Sequence, residues 1–327
     1  MEKRIIDKMI SAMKIDKDEK VLINFWGTKE ELKDLEDFEE GFAGQNIQVI
    51  TLRFTDEDII ELMDKYPEGL PDSWFDAISD AKVVVDIMNK PIGLPPEGIE
   101  KERMPQFGRI LSQMFGFVSK FHKFIQITMP TETNARMLEV PFEEYYERML
   151  AAFDIDYEKL QEECEQKIKE LSSPKRIIKT GKDCVLEMDI TDRKWYIDAG
   201  DGSLPCGEIY IAPVEENTNG NIYFEKLNVD GGEVYKDVVL TVRDGRLVDS
   251  NCKEFLAFMN SIEEENANIV SELGIGMNPN VVNGSCTSAL DETALGTFHI
   301  AFGMNHMFGG KNDCRFHMDF VTTGIIE

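Results

Sequence analysis

Basic residues are scarce in this sequence: 35 Lys and Arg stand against 62 Asp and Glu, for a formal net charge of −27. Phosphate recognition depends on cationic side chains that displace counterions, so nucleic acid is excluded as a partner. Anionic membrane surfaces are disfavoured for the same reason. Cysteine is sparse and scattered, at Cys164, Cys184, Cys206, Cys252, Cys286 and Cys314, with no C-x-x-C pair. That pattern supports neither a disulfide framework nor a thiolate zinc site. No apolar run approaches the roughly 18 residues of a membrane span. The opening Met1-Glu2-Lys3-Arg4 leads into an amphipathic helix pattern rather than an apolar signal core. Nucleotide fingerprints are missing too: neither G-x-G-x-x-G nor G-x-x-x-x-G-K-[ST] occurs. The expectation is a reduced, soluble, cytoplasmic protein.

What is present is enough apolar material for ordinary cores, 42% of 327 residues, and a length that suggests two domains. In the first half, short apolar runs at 21–26, 47–52, 82–88 and 124–129 alternate with charged helical segments such as 30–42 and 56–65. Mostly apolar strands alternating with helices predict a parallel sheet covered on both faces. The reading is an α/β fold: an N-terminal Rossmann-like open parallel sheet. A turn-rich loop covers 91–98, and a long polar helical region, one or two helices, covers 141–171. Ser172-Ser173-Pro174 ends that region and places the boundary between an N-terminal domain, 1–173, and a C-terminal α+β domain, 174–327. Strands are expected there at 184–189, 194–197, 208–211, 221–224, 238–242 and 316–321. Asp244-Gly245 is a hairpin signal. Helices are expected at 253–266 and 292–303.

Histidine is rare, with four in the chain, and three of them, His299, His306 and His317, fall near the C-terminus. Histidine is the commonest neutral metal ligand. His317-Met318-Asp319 lies in an expected strand, where residues two apart share a face, so imidazole and carboxylate can converge on one ion. His299 sits in an otherwise apolar segment, where a buried imidazole requires partners. Glu208 opens an apolar strand and Glu272 lies in apolar, glycine-rich surroundings. Carboxylates there are costly unless paired or coordinated.

Five segments together resemble the aminopeptidase T family of metallo-aminopeptidases: PCGEIYIAP (205–213), GNIYFE (220–225), SELGIG (271–276), DETALGTFHIAFG (291–303) and FHMDF (316–320). Their order and approximate spacing agree from about residue 140 to the C-terminus. The resemblance implies a site for two divalent ions (Zn, Co or Mn, with Fe an option) held by Glu208, Glu272, His299, His317 and Asp319. It also implies a homodimer acting on a small peptide or amino-acid-like substrate. Where the family carries a catalytic tyrosine, this chain has His306. On a helix, His306 would share a face with His299, and it is a candidate donor to the tetrahedral intermediate.

The function that follows is release of N-terminal amino acids through a two-metal-activated water, with Glu272 or an unliganded neighbour as base. Glu215, Glu216 and Glu292 are candidates to hold the substrate's amino terminus. Two other readings stay open. One is a ring-cleaving dioxygenase of the same fold, with a single iron on His299, His317 and Asp319. The other is a non-catalytic relative that keeps the site for ligand capture.

Overall fold

The computed structural model describes residues 1–229, 233–282 and 288–327, so Cys286 lies outside the described residues. The chain forms two compact units, Met1–Tyr157 with Gly200–Cys206, and Glu158–Ala199 with Gly207–Glu327.

In the first unit the four apolar runs are strands β1 (Lys20–Trp26), β2 (Gln48–Phe54), β3 (Val83–Met88) and β4 (Lys123–Thr128). They pair in parallel in the order β2-β1-β3-β4. The helices are α1 (Lys3–Ala12), α2 (Leu32–Gly44), α3 (Asp56–Lys65), the short α4 (Asp72–Asp76) and α5 (Met104–Val118). Helix α3 starts where it does because Thr55 and Asp58 form a capping box, each side chain accepting from the other's backbone N–H. Burial on both faces explains why β1 and β3 read as continuous apolar runs. Trp26 stacks on Phe54 at 4.3 Å and packs with Met63, Phe107 and Ile110. One polar row interrupts this core: Asn24, Asp86 and Gln126 occupy matching register positions on β1, β3 and β4. The helical region after β4 comprises α6 (Glu132–Met137), α7 (Phe142–Phe153) and α8 (Tyr157–Glu170).

The chain continues with β5 (Lys175–Thr180), β6 (Cys184–Asp189) and β7 (Tyr196–Asp198). The two-residue β8 (Ser203–Leu204) pairs in parallel with β4 as the last strand of the first sheet. Then follow β9 (Glu208–Ile211), β10 (Thr218–Asn228), β11 (Val234–Arg243), β12 (Arg246–Ser250), α9 (Lys253–Asn260) and β13 (Val270–Gly276). The last elements are α10 (Ser288–Asp291), β14 (Phe298–Gly303), β15 (His317–Thr322) and β16 (Ile325–Ile326). The hairpin at Asp244-Gly245 forms with both residues at positive φ, 48° and 73°.

Two antiparallel sheets result, ordered β12-β11-β10-β6-β5-β16 and β15-β14-β13-β9-β7. Phe224, Phe255, Phe302 and Phe320 meet in the core of this unit. Among the described residues, no helix is long and apolar enough to cross a membrane.

Two expectations change, and one strand is present that the sequence reading did not include. Residues 292–303 do not form a helix: Phe298–Gly303 is strand β14, buried at every position between β13 and β15. A short apolar run fits a buried strand as well as a helix, and only its neighbours decide. Helix α9 stops at Asn260 rather than 266. Val270–Gly276, whose two glycines disfavour strand, is nonetheless the central strand of the five-stranded sheet.

Candidate metal centre

Strand alternation sends one set of side chains from the five-stranded sheet to a single face. The register sets Asp198 of β7 beside Glu208 of β9 and pairs Glu208 with Gly276 of β13. It pairs Gly274 of β13 with His299 of β14, and Ala301 of β14 with Asp319 of β15. The opposite face carries Ile209, Leu273, Ile300 and Phe320, all fully buried. Glu208, Glu272, His299, His317 and Asp319, far apart in sequence, thus converge.

His299 Nε2 lies 3.3 Å from Glu272 Oε1, 3.6 Å from Glu208 Oε2 and 3.6 Å from Asp319 Oδ1. His317 Nε2 lies 3.5 Å from Glu272 Oε2 and 3.6 Å from Asp319 Oδ2. Two triads, Glu208–Glu272–His299 and Glu272–His317–Asp319, each bring their ligand atoms within 4.8 Å of one another. Glu272 belongs to both, with one oxygen toward each histidine. Gly274 makes this possible by close approach: a Cβ there would lie 2.0 Å from the His299 ring.

The charges are unbalanced in a way that suits a cation. One imidazole N–H cannot serve three carboxylate oxygens, and Glu208 Oε2 and Asp319 Oδ1 are buried without a hydrogen-bond partner. Burial, reinforced by Glu272, Asp198 and Asp319, pushes the Glu208 carboxyl up to about 8. Burial alone would lower His299, but Glu272, Asp319 and Glu208 outweigh it and raise the imidazole to about 10. His317 is raised to about 9 against its own burial, chiefly by Asp319. Oxygen and imidazole donors packed this way fit a divalent ion of the Zn, Co, Mn or Fe type.

The supporting structure is specific. His317 Nδ1 lies 2.8 Å from the Met304 carbonyl, which fixes Nε2 as the nitrogen facing the carboxylates. The loop that carries Met304 is tied down by a buried network. Glu215 pairs with Arg193 and accepts from the Lys311 N–H at 2.6 Å and Asn305 Nδ2 at 3.1 Å. Asn312 N–H donates to Asn305 Oδ1 at 2.8 Å. Glu215 is therefore committed to the scaffold, and Glu216 is exposed.

Glu292, between α10 and β14, lies within electrostatic reach of the cluster. Burial and the charges of Asp319, Glu208 and Glu272 hold its carboxyl well above the usual range. His306 does not join the cluster: it sits on a separate turn, His306–Phe308, 45% exposed and 3.5 Å from Asp313. Because β14 is a strand, the helical face that would have aligned His306 with His299 does not exist. Asp198 and Tyr210 are site-face residues that the sequence reading did not include. Tyr210 lies two positions after Glu208, and alternation along β9 was the signal that could have found it. Burial and the carboxylates of Glu208, Glu272 and Asp198 push its phenol above the ordinary range.

No curated protein matches the chain by sequence. In structure the chain is similar to wild-type AmpT from Thermus thermophilus, with a TM-score of 0.69 at 17% identity over 98% of this chain and 93% of that one. That likeness establishes a shared fold. The model of the thermophilic metalloprotease (M29) family matches residues 43–321, and so takes in every strand of the carboxylate–imidazole sheet. With that match over most of its length, the chain belongs to the thermophilic metalloprotease (M29) family.

Proposed function

We propose that this chain is a metal-dependent aminopeptidase that uses two divalent ions. The observation that carries this reading is the pair of ligand triads sharing Glu272. Glu208, Glu272 and His299 would hold one ion, and Glu272, His317 and Asp319 the other. Such a pair, when bound, lowers the pKa of a coordinated water and polarises a carbonyl oxygen. The presence of both Glu208 and Glu272 favours two cations over the single iron of a facial triad.

Glu292 is the proton carrier in this reading, since it feels the charges of the ligands yet stands outside both triads. The attacking water oxygen bonds to the carbonyl carbon, its proton passes to the Glu292 carboxylate, and the π pair moves to the carbonyl oxygen. When that pair returns, the C–N bond breaks and the amine leaves with the proton from Glu292. The acidic surroundings suit the positive amino terminus of a peptide.

Elemental analysis after reloading with Zn, Co, Mn or Fe(II), combined with assays on aminoacyl anilides and short peptides, tests the proposal. Two ions per chain with release of N-terminal residues is the expected result. One ion with no turnover would overturn it.

A further inference from the structure

A hydrogen-bond donor at the carbonyl oxygen that becomes negative adds to the polarisation that bound ions would supply. Ionised carboxylates only accept, and the Nε2 atoms of His299 and His317 are turned toward carboxylates. The five proposed ligands therefore leave no such donor free. Tyr210 carries a hydroxyl donor on the same face of the sheet. It shares the β9 face with Glu208 and pairs in register with Gly274, the residue over which the His299 ring lies. Its ring is held on two sides. It stacks on Tyr196 at 5.5 Å and 20°, and meets Phe308 edge-on at 5.6 Å and 80°. Phe308 in turn stands edge-on to His317 at 6.0 Å and 88°. The phenol is thus fixed by neighbours that also flank a proposed ligand, and it remains partly exposed. His306, paired with Asp313 and half open to solvent, offers no comparable donor.

We propose that Tyr210 is a further catalytic residue, its phenolic O–H donating a hydrogen bond to the carbonyl oxygen that gains charge as the peptide is attacked. The O–H bond stays intact throughout: the π pair rests on the carbonyl oxygen while Tyr210 donates to it, and the donation weakens when the pair returns. The assignment rests on the aminopeptidase reading above.

Tyr210→Phe keeps the ring and its stacking and removes only the hydroxyl. In the metal-loaded full chain the expected result is a fall in kcat of about 10²–10³-fold, with KM and metal content unchanged. Binding of the phosphonic acid analogue of leucine, a tetrahedral mimic, is expected to weaken by a similar factor in calorimetry, while leucine itself binds as before. Unchanged affinity for the phosphonic acid, or a kcat within twofold of the parent, would overturn the role of Tyr210. Failure of the unaltered chain to release N-terminal residues would overturn the aminopeptidase reading, and this assignment with it.

Discussion

Gly274 and His299 face each other across the β13–β14 ladder, and the imidazole occupies the space that a Gly274 side chain would fill. The ring reaches Glu272, Glu208 and Asp319 only because that Cβ is missing. Gly274→Ala is therefore expected to displace His299 and to reduce metal content measured by elemental analysis. The overpacking itself costs about 1–3 kcal/mol, visible as a lower Tm. Full metal content in this variant would show that the ring can move without losing the ion.

His317 and Asp319 share a triad with Glu272 on adjacent alternate positions of β15. Either His317→Ala or Asp319→Ala is expected to remove the ion of that triad, lowering metal content from two per chain to one or none, while the first unit's parallel sheet stays folded. Circular dichroism and metal stoichiometry read the two effects separately. Unchanged metal content in both variants would remove these residues from the site.

Glu292→Gln separates ligation from proton transfer. Metal content is expected to stay at the parent level, because Glu292 lies outside both triads. Turnover is expected to fall by about 10²–10⁴-fold, the usual contribution of a positioned acid or base. Parallel loss of metal and activity would make Glu292 a ligand instead.

Asp86 offers a test in the other unit. Burial pushes its carboxyl up to about 6 from an ordinary 3.8, against hydrogen bonds from Asn24, at 2.8 Å, and Trp26. The cavity beside it, about 10 Å³, is otherwise lined by Leu111, Met114, Phe115 and Val118, none of them charged. A folded-state pKa above the unfolded one means that the folded chain binds the extra proton. The stability this contributes is complete below about pH 4 and lost as pH rises through about 6. Its size is about 3 kcal/mol from the two-unit difference. Asp86→Asn removes the ionisation, so its Tm relative to the parent is expected to rise between pH 4 and pH 8. A constant difference across that range would mean that Asp86 titrates normally.

His306→Ala is expected to leave metal content unchanged and stability within about 0.5 kcal/mol, as for a surface residue. A lost ion, measured by the same elemental analysis, would return His306 to the site.

Much of this was written in the linear chain. Apolar runs alternating with charged helical segments announce the parallel sheet, because strands covered on both faces need apolar residues at every position. His317 and Asp319 share a face by strand alternation alone. The family resemblance carried by the five C-terminal segments implied the ligand set. The tertiary structure decided the rest. FHIAFG is a strand because β13 and β15 hydrogen-bond its two edges, which a buried apolar run does not reveal about itself. His306 then lies on a separate turn beside Asp313, while the pairing of β9 with β13 sets Tyr210 opposite Gly274. Glu215 and Glu292 look alike as acidic residues near the motifs, yet one meets Arg193 and the other meets carboxylates. Local sequence sets how a segment prefers to run, but the partner of a buried charge is set by which distant strands pair, and in what register.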